Sequence, residues 1–315
     1  MEHSIALVTG ATSGLGYAAA RALAGEGWRE IVVTGRSLAR VQETAAQLAA
    51  ESKMQVFTPL ELDLDKPSSV QSALAALVKR GQPIDFLLLN AGWIGGKKRV
   101  LTSAGIEVTQ APLIGHHQLT VGLLRANLLS PNARIVIASS ESARGDVPMF
   151  PYTDVAALAS THYQGERSAA VEDVLRGGPN VKYKPNRAHS DAKLIVAWWV
   201  AALARRLPPG MAVYAVSPGS TPDTMGLRNA GPALKWLMVP LMKLIPGMSH
   251  SPETAVRRYL QASAFGTDVS GQFFASAPKK FTGPMEAMRQ PHFHDRANQE
   301  AAWQAIVKVS GVDLS

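Results

Sequence analysis

The chain has 315 residues, of which 46% are hydrophobic and 18% charged, so it can bury the core of a large globular domain. It contains no cysteine, which excludes disulfides, thiolate metal sites and a cysteine nucleophile, and agrees with a reducing, cytoplasmic location. The net charge of +8 comes from scattered basic residues, so we favour attraction of phosphorylated small molecules over nucleic-acid binding. The apolar runs are too short to predict a signal peptide or a transmembrane helix.

Short apolar segments predict buried strands, because each is rich in β-branched residues or leucine and is bounded by polar or turn residues. They are 5–8, 31–34, 56–60, 86–89, 135–138 and 213–216. Helical patterns alternate with them, at 15–26, 38–52, 68–79, 106–127 and 188–206. This alternation predicts an α/β fold of the Rossmann type, a doubly wound parallel sheet whose ligands bind beyond the carboxyl ends of the strands.

Three segments interrupt this rhythm within what we predict to be a single domain over 1–315. The segment 146–186 is a long insertion after the fifth strand, with a helix at 165–176. The apolar segment 229–249 holds three prolines. It could be a core or interface helix pair, but we favour a substrate lid because it follows a loop at the ligand-binding edge. The segment 285–315 is a C-terminal extension.

A glycine-rich turn follows the first strand and precedes the first helix. Glycines allow a tight turn and a close approach to a pyrophosphate, and the helix N-terminus presents free N–H groups to that anion. A turn in this context predicts a dinucleotide site. The residues of the turn that we expect to contact the cofactor are Gly10, Thr12, Ser13, Gly14, Leu15 and Gly16.

The turn has the pattern Thr-Gly-x-x-x-Gly-x-Gly, and further marks follow it in order. They are Asp63, Asn90-Ala91-Gly92, Ser139-Ser140, Lys193 and Ser217-Pro218-Gly219. Over roughly residues 4–275, this order resembles the short-chain dehydrogenase/reductase family. It is most similar to the retinol-dehydrogenase-like branch, judged by Gly105-Ile106-Glu107, Gly115-His116 and Ala204-Arg205-Arg206-Leu207. The resemblance implies a nicotinamide cofactor with further contacts at Asp63, Asn90, Ala91, Gly92, Lys193, Pro218, Gly219 and Thr221.

The end of the second strand bears on which nicotinamide cofactor binds. An acidic residue there would bind the ribose hydroxyls of NAD and repel a 2′-phosphate, whereas Arg36 offers a charge-assisted fork to that phosphate. The alternative is a solvated surface arginine. We therefore predict NADP(H) as the cofactor.

The family's mechanism uses an asparagine, a serine, a tyrosine and a lysine. By resemblance, Ser140 is the serine that positions the carbonyl, and Lys193 is the lysine that holds the ribose. The tyrosine position is His189, which shares a helical face with Lys193 because the two are four residues apart. The asparagine position is Pro112, which supplies neither an amide nor an N–H and bends a helix interior; a slipped alignment would leave Gln110 as the nearby amide.

The two replacements change the proton chemistry. Histidine ionises near about 6.5, and a neighbouring lysine lowers its pKa further, so we expect His189 to be largely neutral at neutral pH. Tyr183 and Tyr163 are other conceivable proton sources. Three outcomes follow: an impaired reductase, a reductase adapted to another electrophile such as an imine, or an NADP(H)-binding scaffold or sensor. Natural divergence and deliberate alteration would both produce such a sequence.

The sequence thus predicts an NADPH-dependent reductase of ketones, aldehydes or related C=N groups, with Ser140, His189 and Lys193 as its catalytic residues. No metal site is predicted. His292 and His294 lack a third spaced ligand cluster, so we interpret them as a hydrogen-bonding motif of the tail. The expected partner is a small-molecule substrate, and the chain would act as a monomer or a homo-oligomer.

Overall fold

The strands of the computed structural model, which describes residues 5–92, 95–221 and 247–314, form one sheet. They are β1 (Ile5–Val8), β2 (Glu30–Gly35), β3 (Phe57–Glu61), β4 (Ile84–Leu89), β5 (Leu129–Ala138), β6 (Ala212–Val216), β7 (Phe273–Ser276) and β8 (Met285–Ala287). Their spatial order is β3-β2-β1-β4-β5-β6-β7-β8, parallel except for the antiparallel pair β7–β8. The predicted Rossmann-type sheet is confirmed. The chain order reverses between β1 and β4, which is where ligands bind in such sheets.

Helices cover both faces of the sheet. They are α1 (Gly14–Gly25), α2 (Leu38–Ser52), α3 (Pro67–Arg80), α4 (Ala111–Arg125), α5 (Val155–His162), α6 (Arg167–Arg176), α7 (Pro185–Ala204), α8 (Pro252–Ser263), α9 (Pro291–His294) and α10 (Arg296–Ser310). One buried apolar cluster joins the sheet to α1, α2 and α8, and the other joins it to α3, α4, α7 and α10. Within the described ranges, no helix is both long and apolar enough to span a membrane.

The fourth predicted helix, 106–127, was too long at its start. An antiparallel bridge between Leu101 and Glu107 precedes α4, and the Glu107 carboxylate accepts hydrogen bonds from the N–H and the hydroxyl of Thr109 at 3.0 and 3.1 Å. The helix begins at Ala111, so Pro112 lies in its first turn. A missing N–H costs no helical bond there, and the expected bend of a helix interior was wrong.

The segments outside the regular alternation form ordinary secondary structure. The insertion 146–186 contains α6, which matches the predicted helix, and α5, which was not predicted. The C-terminal extension supplies β8 and α10, and α10 packs on α4, α6 and α7. The predicted lid, 229–249, lies outside the described residues except for 247–249.

A buried histidine fastens α10 to the rest of the domain. His117 accepts a hydrogen bond at Nδ1 from Trp199 Nε1 at 3.0 Å, and its Nε2 lies 2.8 Å from the carbonyl oxygen of Val312. Burial lowers the pKa of His117 to about 4, so the ring is neutral and its single N–H donates to Val312. Gln118 Nε2 adds a hydrogen bond to the carbonyl oxygen of Ser310 at 3.0 Å.

Candidate active site

The glycine turn is built for close approach at the carboxyl end of β1. Gly10 and Gly14 have φ values of 67° and 58°, which glycine adopts without strain. A Cβ on Gly16 would lie 2.3 Å from the carbonyl oxygen of Gly10 and 2.6 Å from Nδ2 of Asn90. Ser13 caps α1 without a side-chain hydrogen bond, so the N–H groups of the first helical turn remain for a phosphate. The residues present therefore fit a dinucleotide pyrophosphate.

A buried polar network joins this turn to β4 and α4. The hydroxyl of Thr9 accepts a hydrogen bond from the N–H of Ala91 at 3.0 Å and lies 2.9 Å from Nε2 of His116. Asn90 Nδ2 donates to the carbonyl oxygen of Thr9 at 3.1 Å. Sequence reasoning gave His116 no role, although the Gly115-His116 pair that marked the family resemblance was a signal for it.

The ends of β2 and β3 form the outer part of the cofactor cleft. Gly35 lies under Thr12, because a Cβ on Gly35 would be 2.6 Å from Cγ2 of Thr12. Arg36 follows and is exposed. Asp63 is buried and pairs with Lys66 at 3.2 Å. The contacts of Arg36 with a 2′-phosphate and of Asp63 with an adenine stay predictions.

An acidic neighbour faces Arg36. Burial and the Asp63 carboxylate raise the pKa of Asp65, while the charges of Arg36 and Lys66 oppose that rise. Arg36 is therefore close enough to Asp65 to interact electrostatically, and an incoming phosphate would compete with this carboxylate for the guanidinium.

The second part of the site gathers at the ends of β4 and β5. Lys193 Nζ donates a hydrogen bond to the carbonyl oxygen of Ala138 at 2.8 Å, and a Cβ on Gly92 would lie 3.7 Å from Nζ. Ser139 Oγ donates to the carbonyl oxygen of Lys193 at 3.3 Å. Ser140 comes next and caps the 3-10 helix Glu141–Arg144. The structure thus brings Lys193 to the strand end that carries Ser140.

Two imidazoles flank Lys193. Burial, and then the charge of Lys193, lower the pKa of His189 on α7 to about 3. The same two causes, in the same order, lower the pKa of His116 on α4 to about 3. Burial also lowers the pKa of Lys193 to about 8. Among the residues that the structure describes, the buried His189 Nδ1 has no hydrogen-bond partner, and the ring contacts Phe150 of the insertion at 6.0 Å between centroids.

The other suggested proton sources hold other partners. Tyr183 Oη donates to the carbonyl oxygen of Gly96 at 2.8 Å, and Tyr163 Oη accepts from Asn180 Nδ2 at 2.9 Å. The amide of Gln110 reaches α7, where Nε2 donates to the carbonyl oxygen of Ala188 at 3.0 Å, next to His189.

A buried ion pair beside Ser140 connects the ends of β5, β6 and β7. Arg258 of α8 lies 3.3 Å from the Glu141 carboxylate and donates to the carbonyl oxygen of Ser217 at 3.0 Å. Glu141 also accepts from the hydroxyls of Ser217 and Ser276. Sequence reasoning missed this pair, because its two members are 117 residues apart and neither belongs to a motif.

The segment after β6 has its own constrained turn. Gly219 has a φ of 80°, and a Cβ there would lie 2.5 Å from Nε2 of His250. His250 Nε2 is hydrogen-bonded to the carbonyl oxygen of Pro218. Thr221 is the last described residue before the gap at 222–246. Pro218 and Gly219 therefore lie at the same carboxyl edge as Ser140, and their contacts with a cofactor stay a prediction.

The histidines of the tail face backbone oxygens. Nε2 of His292 lies 3.2 Å from the carbonyl oxygen of Ala143, and Nε2 of His294 lies 3.1 Å from that of Met288. In the part of the chain that the structure describes, no cluster of three or more histidine, aspartate or glutamate side chains could hold a metal ion.

Sequence comparisons define the class of protein. Residues 4–153 match the sequence model of the family described as short chain dehydrogenase. Oxidoreductase fscI of Fusarium equiseti is 30% identical over 221 residues, which cover 68% of this chain and 85% of that protein. The chain therefore belongs to the short-chain dehydrogenase/reductase family.

Two further relatives show how far the similarity extends. An oxidoreductase of Streptomyces antibioticus is 39% identical over 150 residues, so the match covers 47% of this chain and about half of that protein, 48%. The chloroplastic protochlorophyllide reductase of Chlamydomonas reinhardtii is 26% identical over 99% of this chain and 79% of its own length.

Solved structures share the fold. A protein from Mycobacterium paratuberculosis is 21% identical with a TM-score of 0.70, covering 100% of this chain and 95% of its own. An actinorhodin polyketide ketoreductase with NADPH is 22% identical with a TM-score of 0.61, covering 88% of this chain and 96% of its own. A short chain dehydrogenase from Burkholderia cenocepacia in complex with NADP has a TM-score of 0.60 at 22% identity, covering 85% and 94%.

Proposed function

We propose that this protein is an NADPH-dependent oxidoreductase that reduces a ketone, an aldehyde or a related C=N group. One observation carries the proposal: a glycine cradle that admits no side chain at Gly16 lies on the same sheet edge as Ser140 and the half-buried Lys193. A cradle alone would serve any dinucleotide-binding protein. The lysine and serine beside it add groups that can hold and polarise a reacting carbonyl.

The proposed cofactor contacts follow from the geometry of this edge. The first turn of α1 would bind the pyrophosphate, and Arg36 would bind the 2′-phosphate. Lys193 would hold the ribose, as the family resemblance implies. When bound, the nicotinamide supplies the hydride. The NADPH and NADP in two structures of the same fold support this choice of cofactor.

The side chains of the reaction centre would orient the substrate and line its pocket. Ser140, at the end of β5, would orient the substrate oxygen or nitrogen. His189 could donate a proton only at a pH near its lowered pKa of about 3. At neutral pH its neutral ring would line the pocket without donating a proton to the substrate. The ring contact between Phe150 and His189 supports a position of the start of the insertion beside the substrate.

A second function has its own support. The tyrosine and asparagine positions hold His189 and Pro112, and a site without a proton donor would bind NADP(H) without turning it over. This alternative is an NADP(H)-binding scaffold or sensor. The cytoplasmic location and membership of the retinol-dehydrogenase-like branch also stay proposals.

One set of measurements separates these functions. NADPH affinity and NADPH oxidation are measured with a panel of ketones, aldehydes and cyclic imines. Turnover with any class supports the reductase, tight binding without turnover supports the scaffold, and absence of NADPH binding contradicts both. Gly16→Ala should abolish binding because its Cβ overlaps Gly10 and Asn90. Gly25→Ala is the matched control in α1, since a Cβ there meets nothing within 4 Å.

A further inference from the structure

The reaction centre needs a proton donor, and the groups first considered for that role do not supply one at neutral pH. His189 and His116 flank Lys193 as neutral rings. The hydroxyl protons of Tyr183 and Tyr163 are no better, because burial raises the pKa of both phenols. Tyr183 also donates its proton to the carbonyl oxygen of Gly96.

Lys193, unlike these groups, has N–H bonds that can reach a bound molecule. An ammonium has three N–H bonds. Within the described ranges, one of them donates to the carbonyl oxygen of Ala138, so two remain for bound molecules. Nζ also lies beside Gly92 at the end of β4, on the ligand-binding edge.

The surroundings of Nζ explain why it can release a proton. From α4 it faces His116, and from its own helix it faces His189. β4 contributes Gly92 and β5 the carbonyl of Ala138, neither of which titrates. The acid nearest to Ser140 along the chain is Glu141, which is paired with Arg258 at 3.3 Å. In the described part of the chain, no carboxylate forms an ion pair with Lys193 to hold its positive charge.

We propose that Lys193 is the general acid of this site and delivers its proton from Nζ to the substrate. This rests on the proposed reductase function. As the carbon of the substrate is reduced, an N–H bond of the ammonium breaks and an O–H or N–H bond forms with the electron pair of the former double bond. Lys193 is left as a neutral amine and regains a proton from solvent. The imidazole of His189 reaches less far than a phenol, so it leaves room between Nζ and the substrate.

The acidity of Lys193 suits this role. Burial brings the pKa of its ammonium to about 8, and a general acid works best with a pKa near the operating pH. Turnover should therefore fall as pH rises through the pKa of Lys193 in the loaded enzyme.

The absence of cysteine allows a specific test. Lys193→Cys should lose about 100-fold or more of kcat at saturating NADPH, the smallest contribution usual for a positioned general acid. Alkylation of this cysteine with 2-bromoethylamine produces a lysine analogue in which sulfur replaces one methylene group, and the amine of the analogue is more acidic than that of lysine. The alkylation should restore turnover and move the alkaline fall of kcat to lower pH. Ser68→Cys, at an exposed position, is the alkylation control, and alkylating it should change neither kcat nor its pH dependence.

A second readout needs neither cofactor nor turnover. Reductive methylation of the free protein with ¹³C-formaldehyde labels the lysines, and the Lys193 signal is the one missing in Lys193→Cys. It should titrate well below the other lysine signals. Ser68→Cys should leave this titration as it is in the unmutated chain.

The outcomes are distinguishable. If the unmutated chain binds NADPH but turns over no substrate, the reductase and the role of Lys193 both fail. If the unmutated chain reduces a substrate, but kcat of the alkylated Lys193→Cys variant falls at the same alkaline pH as kcat of the unmutated chain, Lys193 is not the general acid. The proposed reductase function is then still supported. An ordinary lysine titration at Lys193 in the free protein would also overturn the assignment.

Discussion

The two parts of the ligand-binding edge differ in how closely they follow the family. The cofactor part, at the ends of β1 and β2, keeps the complete glycine pattern and leaves no space for a side chain at Gly16. The reaction part, on α4 and α7, has Pro112 and His189 at the positions that we propose correspond to the asparagine and the tyrosine of the family. Binding a pyrophosphate through the backbone demands glycine at fixed positions. Proton transfer demands only an acid of suitable pKa within reach, so it can pass to another residue while the fold stays the same.

Restoring the family residue tests the reaction part most strongly. His189→Tyr recreates the Tyr-x-x-x-Lys motif with Lys193, and we expect carbonyl reduction to rise by about 100-fold, because a phenol beside a lysine is a positioned acid. His189→Phe is the control of similar size without a hydroxyl. The measurement is kcat at saturating NADPH. Equal rates in the two variants would show that position 189 does not govern proton transfer, and NADPH affinity should be unchanged in both.

Removing a charge tests the cofactor part. Arg36→Ala should cost NADPH about 1.5–3 kcal/mol of binding free energy, roughly 10-fold to 100-fold in Kd, because the 2′-phosphate loses a charged donor. NADH affinity should hardly change. Arg40→Ala, an exposed arginine in the first turn of α2, is the control. Titration calorimetry with both cofactors measures the effect. An unmutated protein that binds NADH as tightly as NADPH would contradict the assignment.

The contacts of His117 between α4, α7 and the chain after α10 should make the stability of the fold sensitive to acid. The folded pKa of His117, about 4, lies below the value of about 6.5 for unfolded histidine, so the unfolded chain binds the proton first and stability falls as pH drops between those values. His117→Gln keeps a donor and an acceptor without titrating. Between pH 7 and pH 5 its free energy of unfolding should fall by about 2 kcal/mol less than in the unmutated chain.

Urea unfolding at the two pH values provides that measurement. His162→Gln, which replaces an exposed histidine of α5, serves as the control and should leave the pH dependence as it is. If His117→Gln keeps the full pH dependence, the acid sensitivity of the fold comes from another group.

The smallest effect concerns the hydroxyl that joins the two parts. Thr9→Val removes the hydrogen bond that the Ala91 N–H donates and the contact with His116, so the free energy of unfolding should fall by about 1 kcal/mol. Thr9→Ser keeps the hydroxyl and should lose less. Denaturant unfolding compares the two variants. A free energy of unfolding in Thr9→Val equal to that of the unmutated chain would show that the hydroxyl of Thr9 does not stabilise the fold.

Local patterns were enough to predict the first six strands and the cofactor turn. Strands such as Ile5–Val8 are buried on both faces and read as unbroken apolar runs, and the glycine turn is a contiguous signal. The start of α4 was misjudged because Ile106 and Val108 continue the apolar pattern of the helix, while the backbone there pairs with the segment around Val100 instead. That pairing is a tertiary interaction that no helical period reveals.

The rest of the site depends on distant partners. The prediction that Lys193 and His189 share one face of a helix agrees with their electrostatic interaction in the structure. The neutral state of His189 was expected from the charge of Lys193 alone, whereas burial is the larger cause that lowers its pKa. The same effect on His116, and the lowered pKa of Lys193, were not predicted. Desolvation depends on every segment that packs around a group, and α4 and α7, which are far apart in the chain, meet only in the folded domain.

The packing of α10 on α4 has a consequence for folding during synthesis. Its contacts with α4 join residues far apart in the chain, such as the pair His117 and Val312, which are 195 residues apart. During synthesis the chain emerges from its N-terminal end, and contacts of long sequence separation form slowly. The cofactor part can fold while the ribosome is still elongating the chain. The side of α4 that α10 covers stays exposed until α10 has been synthesised, so a stall before α10 would leave apolar surface open to chaperones and aggregation.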